Sequence, residues 1–254
     1  MKTIAYLIAG LAMAFAPATA DAQQSDGLTF EHHGDTLTVV HVGKQAKYLI
    51  LPVEELSGEA KVNADPLKGD EVPMDVRLAV NNTDYYVPFP LPEGTMTVTV
   101  RRAPATAQCW EKMSLSDTFD TTNTDYYRPV YHHTPLYGWM NDPNGMVYKD
   151  GEYHLYFQHN PYGSKWGNMH WGHSVSRDLI HWSHLAPAIA RDTLGHIFSG
   201  STVVDKDNTA GYGKNALIAL YTSASDERGQ IQSMAYSTDN GRTYTKYDKN
   251  PVLT

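Results

Sequence analysis

Cysteine is almost absent. Cys109 is the single one, so the chain holds no internal disulfide and no thiolate metal site. Its plain reading is a small buried hydrophobe. Basic runs are scarce too. Lys and Arg number 20 against 28 Asp and Glu, the formal net charge is -8, and the longest basic run is Arg101-Arg102. That excludes the clustered positive charge by which proteins hold nucleic acid or anionic membranes. Only one long apolar run exists, Ile4 to Ala16, and it is short for a membrane span. Lys2 precedes it, and Ala18-Thr19-Ala20 or Ala20-Asp21-Ala22 follows as a small-residue cleavage site. Residues 1–22 therefore read as a secretory signal peptide, and an exported chain, periplasmic or extracellular, is expected. No membrane span is expected once it is removed. Beyond it, no stretch carries a convincing helical period, which leaves an all-β chain.

What is present divides in two. Residues 25–115 carry short β-branched runs: Thr36–Val40, Tyr48–Leu51, Val76–Val80 and Met96–Val100. Turn clusters such as "NADPLKGD" and "PFPLPEG" separate them. Short strands at this spacing predict a small accessory β-sandwich. Nothing in it forms an acidic or His constellation that demands chemistry. The polar residues 116–128 read as a linker.

From 129 to 254 the composition changes. Nine of the twelve His lie between His132 and His196. "MVYKDGEYHLYFQ" predicts a hairpin with Asp150-Gly151 at its turn, and "WGHSVSRDLIHW" and "MAYSTDNGRTYTKY" predict two more. Asp178 and Asp239 hold similar places 61 residues apart, after Ser176 and Ser237. That is a blade-like period and suggests a β-propeller. His170-x-x-His173 has local metal-ligand spacing. A strand, however, sends these two side chains to opposite faces, so no metal is expected and the histidines read as packing and hydrogen-bonding groups.

The stretch "GWMNDPNGM", Gly138 to Met146, sets one carboxylate, Asp142, in a tight polar turn. Taken alone, an Asx-type turn residue accounts for it. Taken with "YFQHNP" at 156–161, "WGNMHWGHSVSRDLIHW" at 166–182, "FSGS" at 198–201 and the weaker "NPVL" at 250–253, the order of motifs resembles glycoside hydrolase family 32. That is the invertase, inulinase and levanase family. The resemblance covers about Tyr131 to Thr254. It implies a five-bladed propeller and a reaction that retains configuration at the fructosyl anomeric carbon. It also implies Asp142 as nucleophile and Trp139, Asn141, Gln158, Trp166, Phe198 and Ser199 as the lining of a fructosyl pocket. The substrates implied are fructans (levan or inulin) or sucrose, with no cofactor.

The residue chemistry agrees with that expectation. Glycoside hydrolysis passes through an oxocarbenium-like state and uses two carboxyl groups. Asp142 is flanked by Asn141 and Asn144, which are expected to donate hydrogen bonds to it and favour its ionised form. Asn and Gln offer a sugar donor and acceptor together, and Trp and Phe offer it a flat apolar face. The sequence also departs from the family. Its Arg-Asp-Pro motif and the general-acid Glu beside a cysteine are not matched. Arg191-Asp192 is followed by Thr193 and precedes "FSGS", so it reads as loop, and Glu227 fits no acid motif. The residues after the linker supply two to three blades, at roughly 40–50 residues each. The expectation is therefore a fragment of a longer enzyme, inactive or weakly active by itself. The alternatives are a non-catalytic fructan-binding or remnant protein and, more remotely, another furanoside hydrolase of the propeller class, against which "WMNDPNG" discriminates.

Overall fold

The computed structural model describes residues 27–122, 126 and 128–254. The expected signal peptide and part of the expected linker lie outside the described residues. The described chain is all-β apart from one short helical turn. Its N-terminal part runs β1 (Leu28–His33), β2 (Leu37–Val42), β3 (Tyr48–Val53), β4 (Ala60–Asp65), β5 (Met74–Val76), β6 (Tyr85–Pro90), β7 (Thr97–Arg101), α1 (Cys109–Lys112) and β8 (Ser114–Ser116). One sheet has the order β1-β2-β7-β4-β5 and a second β6-β3-β8. Strand alternation builds the core between them. In β2 the side chains of Val40 and Val42 turn inward, to meet Leu49 and Leu51 of β3 and Val98 and Val100 of β7, all in one buried cluster. Cys109 lies in that cluster, and burial pushes its thiol up to about 12, which leaves it an inert packing group.

The expected strand at Val76–Val80 is cut short at Val76. The next amides are taken elsewhere. Ala79 N–H donates to the carbonyl of Pro52 at 3.0 Å, and Val80 and Asn81 N–H donate to the Glu54 carboxylate at 2.7 and 2.8 Å. A side-chain acceptor outcompetes the ladder here. At the other boundary, β8 pairs with β3, with Ser116 opposite Tyr48, so Ser116 belongs to the sheet rather than to a free connection.

The C-terminal part holds two four-stranded antiparallel sheets. The first is built from β9 (Trp139–Lys149), β10 (Glu152–Asn160), β11 (His170–Ser176) and β12 (Trp182–Ile189). The second is built from β13 (His196–Asp205), β14 (Ala216–Ser225), β15 (Gly229–Ser237) and β16 (Thr245–Lys246). Each is a meander in chain order, with β9 and β13 at the starting edges. Asp150 and Gly151 both take positive φ, 51° and 84°, which is the backbone a two-residue hairpin needs. Asp178 closes the β11–β12 turn by accepting from the amides of Ile180 and His181, and Asp239 closes the β15–β16 turn by accepting from Thr243.

A shared cluster joins the two sheets. Tyr156 and Trp171 from the first pack with Ile197, Ala219, Tyr221 and Ala235 from the second. Polar handles on the large rings find partners, as buried Tyr and Trp require. Trp171 Nε1 donates to the carbonyl of Phe198 at 3.0 Å, and the hydroxyls of Tyr156 and Tyr244 lie 2.7 Å apart. The histidines extend this packing. His173 stacks on Tyr156 with ring centroids 4.2 Å apart, and its Nε2 meets His154 Nδ1 at 3.1 Å. His170 points the other way, to Tyr162 and the Asn168 carbonyl.

Candidate active site

The site is built where the starting edges of the two sheets meet. Along β9, Asn141 lies opposite Gln158 and Pro143 lies opposite Phe157. Asp142, between them, has no partner across the strand. It is the extra residue of a β-bulge, a device that re-aims one side chain out of the pleat. Its φ is 22°, a conformation that non-glycine residues avoid, at a cost on the order of 1–3 kcal/mol. Pro143 is tolerated beside it because β9 is an edge strand.

The second sheet repeats the device. Phe198 lies opposite Thr222 and Gly200 opposite Tyr221, so Ser199 is the unpaired residue of a bulge in β13. Gly200 makes this geometry possible, because a Cβ there would stand 2.0 Å from the Leu220 carbonyl oxygen. Ser199 Oγ donates to Asp142 Oδ2 at 3.1 Å. Trp171 fixes the approach by holding the Phe198 carbonyl, one residue upstream of Ser199.

The other expected residues connect to this pair. The Trp166 ring meets Phe198 edge-on, with centroids 5.9 Å apart and planes at 72°. Trp139 Nε1 donates to Asn141 Oδ1 at 2.7 Å. Gln158 is 2% exposed, and its Nε2 donor has no protein partner. Asn144 is 5% exposed, with Oδ1 in the same state. Buried polar atoms left unmet cost about 1–3 kcal/mol each, and their persistence beside a strained carboxylate marks a place prepared for a polar ligand or ordered water.

One expectation is corrected. The hydrogen bonds of the flanking asparagines do not run to the carboxylate. Asn141 accepts from the Trp139 indole, and Asn144 Nδ2 reaches the backbone carbonyl of Asp142 at 3.3 Å. The donor to Asp142 comes instead from Ser199, 57 positions away in the chain.

His196 was not singled out as a site residue. Its ring lies 5.3 Å from Trp166 and 6.1 Å from Phe198. Burial, then the Arg191 charge, lowers it to about 4, so it is neutral at ordinary pH. Its Nδ1 accepts from Met169 N–H at 3.0 Å, which leaves Nε2–H as a donor. Its signal in the sequence was its place two residues before Phe198, on the same strand face. Among the described residues, no group of three His, Cys, Asp or Glu is placed to hold a metal ion. Arg191 pairs with Asp75 at 2.8 Å and Asp192 with Lys246 at 2.7 Å. Glu227 stands exposed in the turn between β14 and β15.

Residues 132–254 match the glycosyl hydrolases family 32 N-terminal domain. Residues 34–131 match a domain of unknown function, DUF4980. A levanase of Bacillus subtilis (strain 168) is 54% identical over 149 residues, which cover 56% of this chain and 22% of the relative. An extracellular exo-inulinase of Aspergillus awamori is 46% identical over 148 residues, covering 50% of this chain and 28% of the relative. A crystal structure of the exo-inulinase from Aspergillus awamori aligns with TM-score 0.48 and 44% identity over 51% of this chain and 30% of that one. The chain thus spans about a quarter of the length of the curated relatives it matches, between 22% and 28%.

Proposed function

We propose that residues 129–254 carry the attacking half of a retaining glycoside hydrolase acting on β-D-fructofuranosyl bonds. The substrates would be levan or inulin, or sucrose, in an exported protein that needs no cofactor. The two C-terminal sheets are read as the first two blades of a five-bladed propeller, with β9 and β13 innermost. The N-terminal sheets are read as an accessory β-sandwich, and residues 117–128 as the connection.

In this reading an Asp142 carboxylate oxygen attacks the fructosyl anomeric carbon. The bond to the leaving oxygen breaks, that oxygen takes a proton from a general acid, and water later hydrolyses the fructosyl ester. Trp139, Asn141, Gln158, Trp166, Phe198 and Ser199 line the pocket. The rings face the apolar side of the sugar. The unmet Gln158 donor faces a hydroxyl. The observation that carries the reading is the Asp142–Ser199 pair: two bulged residues on neighbouring edges, one at a left-handed φ, joined by a hydrogen bond at 3.1 Å.

No carboxylate in the 254 residues matches the family's acid motif. General acid help is worth about 10²–10⁴-fold, so the chain is expected to bind a fructosyl group and turn it over slowly or not at all. Calorimetry with fructose and short fructans, beside an assay of fructose release from levan, inulin and sucrose, tests this. Binding that weakens in Trp166→Ala supports the reading. A chain that binds none of these sugars is incompatible with it. Tight binding with no turnover, in this chain and in one that also carries a matched acid motif, favours the non-catalytic fructan-binding alternative.

A further inference from the structure

Trp166 stands on the crest of the segment joining β10 to β11 and is 52% exposed. Its neighbours in that segment are held largely from the N-terminal sheets. At the near end, Tyr162 belongs to the N-terminal apolar cluster and lies 5.5 Å from Phe89. Next, Ser164 N–H donates to the Tyr85 hydroxyl at 2.9 Å. That hydroxyl donates in turn to the Glu55 carboxylate, which also accepts from Ser164 Oγ. Burial and the Glu55 carboxylate push Tyr85 up to about 12, so it keeps the proton this relay needs. Lys165 Nζ donates to the Glu55 carbonyl at 2.6 Å and lies 3.4 Å from Oε2.

On the far side of Trp166, Asn168 is 1% exposed and behaves as a backbone mimic. Its Nδ2 donates to the Asp75 carbonyl at 2.7 Å, and its Oδ1 accepts from Asp75 N–H at 2.9 Å. Arg191 Nη1 locks the corner by donating to Asp75 Oδ2 at 2.8 Å and Asn168 Oδ1 at 2.9 Å. The residues two before, one before and two after Trp166 are therefore anchored to Glu55, Tyr85 and Asp75, which lie outside the family 32 segment at 132–254.

We propose that Glu55, Tyr85 and Asp75 are positioning residues that set Trp166 against Phe198, so that the N-terminal sheets complete the binding site for a furanosyl-sized sugar. The purpose assigned to this clamp rests on the reading of Trp166 as substrate-facing. The clamp itself does not. A displacement on the order of 1 Å in a positioned group is enough to cost 10²-fold in a reaction, which gives a remote clamp functional weight.

Fluorine NMR of the full chain labelled with 5-fluorotryptophan tests the clamp directly. Trp166→Phe assigns the line. In Tyr85→Phe and Glu55→Ala the Trp166 line is expected to shift or broaden, while the lines of Trp110 and Trp171, in the two separate cores, stay in place. Fructose affinity measured on the same samples is expected to fall about 10-fold, as an equilibrium change near 1.4 kcal/mol. A Trp166 line unmoved in both variants overturns the proposal. So does a line that moves only together with those of Trp110 and Trp171, since that reports general loosening. A Trp166 line that moves alone in a protein that binds no fructose upholds the clamp and overturns the sugar reading.

Discussion

Ser199 Oγ donates to Asp142 Oδ2 at 3.1 Å, and each residue is the unpaired member of a bulge on its own strand. The bond spans two sheets, so it reports their alignment as well as the orientation of the carboxylate. Ser199→Ala removes the donor and little else. Fructose affinity, or whatever turnover the chain has, is expected to fall about 10-fold, since hydrogen bonds to charged groups are worth about 1.5–3 kcal/mol and this one is partly solvated. The unfolding free energy is expected to stay within about 0.5 kcal/mol of the parent. Calorimetry and urea denaturation on one preparation check both. A large loss of stability with unchanged affinity would make the bond structural only.

Gly145 tests the packing behind the bulge. It has φ of 56°, and a Cβ would stand 2.8 Å from the Tyr156 ring and 2.9 Å from both Thr202 Oγ1 and the Trp171 ring. Gly145→Ala is expected to cost about 2–4 kcal/mol, from overpacking together with backbone strain. Gly151 has φ of 84° but open space around it. Gly151→Ala should cost only about 1 kcal/mol. Equal losses in thermal melts of the two variants would contradict the tight approach of β9 to the shared core.

The buried histidines predict the acid limit of the fold. Burial lowers His170 and His173 to about 3, and His133 and His159 to about 4. These groups are neutral when folded but titrate near 6.5 when unfolded. The unfolded chain therefore binds more protons across that window. Stability is full above about pH 6.5 and is lost progressively as pH falls toward about 3. Urea midpoints measured from about pH 8 down to about pH 5 should fall steeply below 6.5, and His173→Gln should flatten the slope. A midpoint independent of pH over that range contradicts the account.

The candidate residues could be picked out along the sequence, but the register that brings Asp142 and Ser199 together could not. Asp150-Gly151 announces its hairpin because a positive-φ turn is a local demand. The bulges at Asp142 and Ser199 depend on which residues face them across the strand, and no local pattern encodes that. The same limit explains the asparagines. Asn141 and Asn144 are near Asp142 in sequence, but the strand turns their amides to Trp139 and to the backbone. Their role passed to a serine 57 positions away. Asp75 and Asn168 lie 93 positions apart, and the turn cluster "NADPLKGD" before Asp75 gives no sign of that contact until the two parts of the chain are brought together. Val76–Val80 failed as a strand for a related reason, because Ala79 N–H turned to the Pro52 carbonyl and Val80 N–H to the Glu54 carboxylate.

The central claim is that Asp142 is the nucleophile, and an activated donor tests it without a proton donor. In β-fructofuranosyl fluoride the leaving group departs as fluoride and needs no acid. The Asp142 carboxylate attacks the anomeric carbon, the carbon–fluorine bond breaks, and a fructosyl ester remains. Peptide mass spectrometry after brief incubation at mildly acidic pH should find one fructosyl residue on the peptide containing Asp142, and none in Asp142→Asn. No adduct on the folded chain, or the same adduct in Asp142→Asn, would contradict the account.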